Sequence, residues 1–155
     1  LESEAIKSDT YKIVTYKAVN LPPQYINLVL SKFLRSLRYG NEYFKLIDKN
    51  SYFSVYDAYF KVLMSRPEAI IKLAVLSDDE DVVLGWSLTE PNKLHYVYVN
   101  STHRKLGIGK ELTRESFNTI THLTTIGLSI WGNKYNNDPS REVPGKTLVV
   151  FNPFA

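Results

Sequence analysis

The run from Leu94 to Leu112 constrains this chain more than any other part of it. Leu94-His95-Tyr96-Val97-Tyr98-Val99 is β-rich, Asn100 to Leu106 is a mostly polar stretch, and Gly107-Ile108-Gly109-Lys110 stands just ahead of a helical pattern. A strand that delivers the chain into a glycine-bearing loop, with a helix directly behind, is a strand–loop–helix unit. Gly107 and Gly109 let the backbone approach a ligand closely and adopt conformations that a Cβ forbids. The first amides of a helix have no intrahelical acceptor, and the helix dipole places partial positive charge there. Arg104, Lys105 and Lys110 add cationic side chains around the same spot. Such a site holds a phosphate or pyrophosphate. The plainer alternative is a connection whose glycines ease the turn and whose basic residues are solvated. Neither a P-loop nor a three-glycine dinucleotide fingerprint is present.

The rest of the chain supplies a context for that unit. Tyr11 to Val19 alternates as a strand, with Ile13, Thr15 and Lys17 against Val14, Tyr16 and Ala18. Asn20-Leu21-Pro22-Pro23 reads as a helix start with Asn20 as cap, and Ile26, Val29, Leu30, Phe33, Leu34 and Leu37 follow at helical spacing until Gly40. A second stripe, Tyr52, Tyr56, Tyr59, Phe60 and Leu63, follows Asn50-Ser51 and closes at Arg66-Pro67. Ile70 to Leu76, Val82 to Thr89 and Leu94 to Val99 are three strands joined by the turns Ser77 to Asp81 and Glu90 to Lys93, an antiparallel meander. Gly107 to about Leu123 is expected to be helical, with Ile108, Leu112, Phe117 and Ile120 on its buried stripe. Thr125 to Trp131 is expected as a strand, Gly132 to Lys146 as a loop and Thr147 to Phe151 as a last strand. The order is that of one α+β sandwich domain spanning 1–155, with residues 1–10 a flexible lead-in.

Over the whole run from Leu94, the pattern resembles the cofactor motif of the GNAT superfamily of acyl-CoA-dependent N-acyltransferases. There an apolar strand ends in an aromatic–Val pair, matched by Tyr98-Val99, and a short loop leads to Arg-x-x-Gly-x-Gly, matched by Arg104-Lys105-Leu106-Gly107-Ile108-Gly109. The likeness of element order extends from Ile70 to Trp131. It implies a mixed, mainly antiparallel sheet with a splayed central strand pair and flanking helices. It also implies that amides from Lys105 to Lys110 bind the pyrophosphate of acetyl-CoA and that the strand edge at Tyr98 and Val99 receives the pantetheine arm. Family members carry a further helix and long hairpin after the fifth strand, often with a tyrosine acid. Only Gly132 to Ala155 remains here, with Tyr135 near the corresponding place.

The expected reaction is direct attack of a primary amine on the acetyl thioester in a ternary complex. It needs a proton acceptor, oxyanion donors and a proton for the departing thiolate. His95, on the strand entering the motif, is the candidate base, because imidazole titrates near neutral pH and the family often places a carboxylate nearby. The alternative for His95 is a packed strand residue bonded to its neighbours. His103 is expected to meet solvent or phosphate, and His122 to cap a helix end or lie at the surface. Tyr96 and Tyr98 fall on the strand face opposite His95 and Val97, with core packing the expectation for both. Glu90 is either an acceptor-site carboxylate or a solvated turn residue, and Trp86 and Trp131 are core or pocket walls. Asp78 to Asp81 lacks calcium-loop spacing, and no residues show metal-ligand spacing.

Composition closes several classes. With no cysteine among 155 residues, disulfides and thiolate chemistry are excluded, and a cytoplasmic location is expected. No signal-peptide pattern opens the chain and no apolar run is long enough to span a bilayer, while Leu1 in place of Met points to an upstream N-terminus. The formal charge of +3 allows an anionic ligand or nucleic acid without demanding either. Eleven Tyr and seven Phe favour thick packing beside a half-polar pocket, and the segment from Pro22 to Met64 is expected to shape the acceptor side. Two rival readings stand beside N-acetyl transfer. One is a phage-like nucleic-acid-modifying relative, with Lys32, Arg35 and Arg38 as a basic groove or merely a solvated helix face. The other is a catalytically silent acyl-CoA-binding module, monomeric or paired through an exposed last strand at Leu148 to Phe151.

Overall fold

Residues 10–103, 107–114, 117, 119–122 and 150–151 are described by the computed structural model. Residues 1–9, Arg104, Lys105 and Leu106, the expected strand Thr125 to Trp131, and the loop bearing Tyr135 lie outside them.

Strand β1 (Tyr11–Lys17) runs antiparallel to β2 (Ile70–Leu76), which pairs antiparallel with β3 (Asp79–Glu90), which in turn pairs antiparallel with β4 (Lys93–Val99). Beyond β4 the direction changes. β5 (Thr119–Ile120) lies parallel to β4, and β6 (Val150–Phe151) parallel to β5, so the sheet follows chain order from β1 to β6. The meander is as expected, except that β3 starts earlier. The acidic run is therefore only partly a turn: Asp79, Glu80 and Asp81 lie on the strand, where Glu80 takes an ion pair from Lys12 at 2.7 Å.

The alternation of each strand divides the sheet between two cores. Val14, Tyr16, Leu73, Val75, Trp86, Leu88 and Tyr96 face helices α1 (Pro23–Tyr39) and α3 (Lys49–Met64). There Phe33 stacks on Phe60 with centroids 4.5 Å apart and meets Tyr96 edge-on at 5.1 Å. Tyr11, Ala74 and Leu84 face the other way, against Ile108 and Leu112 of the short helix α4 (Ile108–Leu112). Helices thus cover both faces, and the α+β sandwich stands.

Local chemistry explains where the helices begin. Asn20 falls within a 3-10 turn, and α1 starts behind Pro22 with Pro23 as its first residue, where the missing N–H costs nothing. Asp48, not Asn50 or Ser51, caps α3: its carboxylate accepts from the Ser51 amide at 3.0 Å and the Ser51 hydroxyl at 3.1 Å. Of the expected α1 stripe, Ile26 is exposed and Tyr25 takes the buried place. A one-turn helix, α2 (Glu42–Lys45), lies between α1 and α3 and is held by Arg38, which is buried and donates to the carbonyls of Phe44 and Ile47 at 3.0 Å each. Arg38 is therefore neither part of a basic groove nor a solvated residue.

The largest correction falls behind the motif. The helix expected from Gly107 to Leu123 ends at Leu112, and Ile120 sits in a strand. Two bonds terminate α4. The buried Ser87 hydroxyl on β3 donates to the Leu112 carbonyl at 3.1 Å, and the Thr113 hydroxyl returns to the Gly109 carbonyl at 2.7 Å. The β-branched run Thr119-Ile120-Thr121 then adds to the edge of β4.

Candidate active site

Two features lie at opposite ends of β4. At its C-terminal end, Asn100 ties the strand to β3 through its amide to the Leu84 carbonyl (2.8 Å) and its side-chain nitrogen to the Val83 carbonyl (3.2 Å). Gly85 makes this closeness possible, since a Cβ there would stand 2.6 Å from the Tyr98 carbonyl oxygen. Gly107 then turns the chain with φ of 84°, a left-handed value that favours glycine, and α4 begins. Gly109 differs. Among the described residues a Cβ on it would meet Val99 Cγ2 alone, at an ordinary 3.6 Å, so no packing with them demands glycine there. A glycine that the fold does not require, in the first turn of a helix, leaves space for something else to come close. Lys110 is exposed beside it, and the Lys32 ammonium lies 5.8 Å over the Tyr98 ring.

The other feature is at the N-terminal end of β4, where β5 pairs with it. Among the described residues the β4–β5 register runs over Lys93–Thr119 and Leu94–Ile120, followed by one bond from the Thr121 amide to the Leu94 carbonyl at 3.0 Å. Directly beside these pairs sits a connected polar cluster. Register places Leu88 opposite Tyr96 and Thr89 opposite Leu94, so His95 is the extra residue of a β-bulge, a device that re-aims a side chain. Its Nε2 meets Glu90 Oε1 at 2.7 Å, and its Nδ1 meets Thr121 Oγ1 at 3.0 Å. Arg66 Nη1 donates to the same Glu90 oxygen at 2.8 Å. On the far side, His122 Nδ1 meets Thr121 Oγ1 at 2.9 Å.

Burial pushes the His95 imidazole below its ordinary pKa even though Glu90 pulls it the other way. For Glu90, burial is opposed and outweighed by the bonds from Arg66 and His95, so its carboxyl titrates below the usual value. Burial, with a smaller contribution from His95, takes His122 down to about 4. At neutral pH this is a carboxylate beside two uncharged imidazoles. Among the described residues, no group of His, Asp and Glu could hold a metal ion.

A protein of Pyrococcus furiosus named as an acetyl transferase superposes on this chain with a TM-score of 0.57 at 19% identity, covering 80% of this chain and 90% of its own. The chain has the GNAT fold. Two looser overlays are an acetyltransferase of the GNAT family from Staphylococcus aureus Mu50 and an aminoglycoside acetyltransferase from a soil metagenomic sample. The first has a TM-score of 0.42 and 20% identity, covering 67% of this chain and 61% of its own. The second has a TM-score of 0.45 and 13% identity, covering 85% and 90%. The fold assignment rests on the first of the three. No protein-family model and no curated protein matches the sequence.

Within the GNAT fold the sequence-expected residues separate as follows. Tyr98, Val99, Gly107, Ile108, Gly109 and Lys110 gather at the C-terminal end of β4. Tyr96 is core, its hydroxyl 2.8 Å from that of Ser36, and Trp86 is fully buried core as well. His103 is half-buried at the end of the turn Ser101–His103, with its Nδ1 3.0 Å from the Thr102 hydroxyl. Glu90 is a mostly buried ion-pair partner, not a solvated turn residue. His122 is neither a cap nor a surface group: it follows β5 and is buried against the rings of Tyr59, Phe33 and Tyr56 at 5.1, 6.0 and 6.3 Å. Sequence reasoning missed Arg66, Thr121 and Gly85. A groove of about 560 Å³ between α1 and α3, lined by Arg35, Tyr39, Lys49 and Phe53 among others, shares no residue with this cluster.

Proposed function

We propose that this chain is an acyl-CoA-dependent N-acyltransferase that moves an acetyl group from acetyl-CoA to a primary amine in a ternary complex. The observation that carries this reading is Gly109, kept free of a Cβ that the protein itself could accommodate, behind the left-handed turn at Gly107. Those residues fit a pyrophosphate, which approaches a first helical turn closely and is attracted by its amides. On this reading Arg104, Lys105, Leu106, Gly107, Ile108, Gly109 and Lys110 hold the pyrophosphate, and Tyr98 and Val99 border the pantetheine arm. Acetyl-CoA supplies the acyl group as an activated thioester. His95 and Glu90 receive the proton that the amine sheds on acylation; His95, with both ring nitrogens bonded and 1% exposure, does so through another group. The aromatic wall of Phe33, Tyr56 and Tyr59 borders the acceptor.

The test is transfer itself. The protein is incubated with acetyl-CoA and separate amines (a polyamine, a lysine peptide, a peptide with a free N-terminus, phenethylamine), and the products are weighed by mass spectrometry. Gain of one acetyl group by an amine, dependent on protein, supports the reading. Tight acetyl-CoA binding without transfer to any amine would favour the silent acyl-CoA-binding module instead.

A further inference from the structure

The polar cluster beside the β4–β5 pairing is a chain of hydrogen bonds whose direction can be worked out from one end. Glu90 is shared between Arg66 Nη1 at 2.8 Å and His95 Nε2 at 2.7 Å. A carboxylate held by a guanidinium is an acceptor only, so the His95 nitrogen facing it carries the hydrogen. A neutral imidazole then has a bare Nδ1, which accepts from the Thr121 hydroxyl at 3.0 Å; were that hydroxyl to donate instead to the His95 carbonyl at 3.2 Å or to His122 Nδ1 at 2.9 Å, the buried His95 Nδ1 would be left without its hydroxyl donor. Having donated its one hydrogen, Thr121 Oγ1 accepts from His122 Nδ1 at 2.9 Å. His122 in turn is left with its lone pair on Nε2.

From this geometry we infer that His122 is the catalytic proton acceptor of the site, acting at Nε2, with Thr121, His95 and Glu90 as positioning residues that fix its tautomer. The inference rests on the N-acyltransferase reading: both histidines are buried, but His95 has both ring nitrogens bonded, whereas His122 is bonded among the described residues through Nδ1 alone. His122 is the residue immediately after the last described bond between β4 and β5. Among the described residues, the titratable groups around its ring are Tyr56 and Tyr59 from α3 and His95 from β4, with Glu90 and Arg66 one link further along. Burial raises both tyrosines above their ordinary pKa, so they face His122 as uncharged phenols.

The proton balance closes along the chain. As the acceptor nitrogen bonds to the thioester carbonyl carbon, His122 Nε2 takes the proton that nitrogen sheds. The carbon–sulfur bond breaks, and the thiolate leaves with its electron pair and is protonated from solvent. His122 passes its Nδ1 hydrogen to Thr121 Oγ1, and Thr121 passes its own to His95 Nδ1. The net result is one proton on His95, as an imidazolium against the Glu90 carboxylate. The sink is thus an ion pair, in which the Glu90 carboxylate favours the charged form of the His95 imidazole.

Long-range ¹⁵N–¹H spectra of the imidazoles at neutral pH test the tautomers without any turnover. The parent is expected to show His122 protonated at Nδ1 and bare at Nε2, and His95 the reverse. Glu90→Gln, whose amide can donate to His95 Nε2, is expected to reverse or mix both, and Thr121→Val to mix His122 alone. In parallel, acetyl-CoA affinity is measured by calorimetry and thiol release is followed with acetyl-CoA and phenethylamine. His122→Gln is expected to slow thiol release by roughly 100-fold at unchanged acetyl-CoA Kd, the scale of general-base catalysis, and Thr121→Val to slow it as well. A parent His122 protonated at Nε2, or a His122→Gln rate within about twofold of the parent, far short of a general base's contribution, overturns the inference. So does a parent that binds acetyl-CoA but releases no thiol. A parent that does not bind acetyl-CoA overturns the acyltransferase reading itself, an outcome the calorimetry separates from the rest.

Discussion

Gly107 and Gly109 are alike in the sequence, yet the backbone makes different demands on them. At Gly107 the φ of 84° is left-handed, so Gly107→Ala is expected to cost about 1–2 kcal/mol, read as a lowered midpoint in urea. At Gly109 a Cβ meets one methyl at 3.6 Å, so Gly109→Ala should leave stability within about 0.5 kcal/mol or raise it, because alanine is the better helix former. A Gly109→Ala variant that lost stability as badly as Gly107→Ala would show that the glycine serves packing rather than a ligand. His122 makes the third residue-scale case. The unfolded chain protonates this imidazole near its ordinary value of 6.5, whereas the folded chain resists until about 4. The contribution is therefore fully present above pH 6.5 and is lost as pH falls through that window, amounting to roughly 3 kcal/mol at most. Buried His95 shifts in the same direction. Thermal melts across that range should show stability falling toward pH 4 in the parent and a shallower fall in His122→Gln.

At the scale of elements, the strands and long helices were legible because their periodicity and turn residues agree. Leu73 and Val75 alternate against Ala74, and Val29, Phe33 and Leu37 recur at helical spacing. The stretch behind α4 was not legible, because what ends that helix is distant in sequence: the Ser87 hydroxyl on β3 bonding the Leu112 carbonyl. With the helix stopped, Ile120 moves from an imagined helix into β5, and His122 to the residues just past that strand. Gly85 was equally silent, since only the pairing of β3 with β4 reveals that its missing Cβ would strike the Tyr98 carbonyl at 2.6 Å. Gly85→Ala is expected to destabilise by about 1–3 kcal/mol, as overpacking does. It should also weaken acetyl-CoA binding, because β4 must shift at Tyr98 and Val99. Arg38 ties α1 to the α2 turn. Arg38→Met leaves the Phe44 and Ile47 carbonyls without that donor and should cost about 1–3 kcal/mol by urea titration.

For the molecule as a whole, the glycine-bearing end of the site was readable from a short sequence run, and the polar end was not. Backbone-built sites leave their mark in the sequence because glycines, a strand and a helix start must follow one another. The polar cluster joins Arg66, Glu90, His95, Thr121 and His122 from four separate stretches, so the parallel pairing of β5 with β4 and the bulge at His95 are needed to bring it together. The same assembly places the rings of Tyr56 and Tyr59 on α3 against His122. No helix among the described residues is long and apolar enough to cross a membrane. The most direct test is a calorimetric titration of acetyl-CoA into the parent and into Gly109→Trp, after melting curves show both folded. The account predicts micromolar binding by the parent and its loss in the variant, because the indole would fill the space beside the first turn of α4. Equal binding by both, or none by the parent, would contradict it.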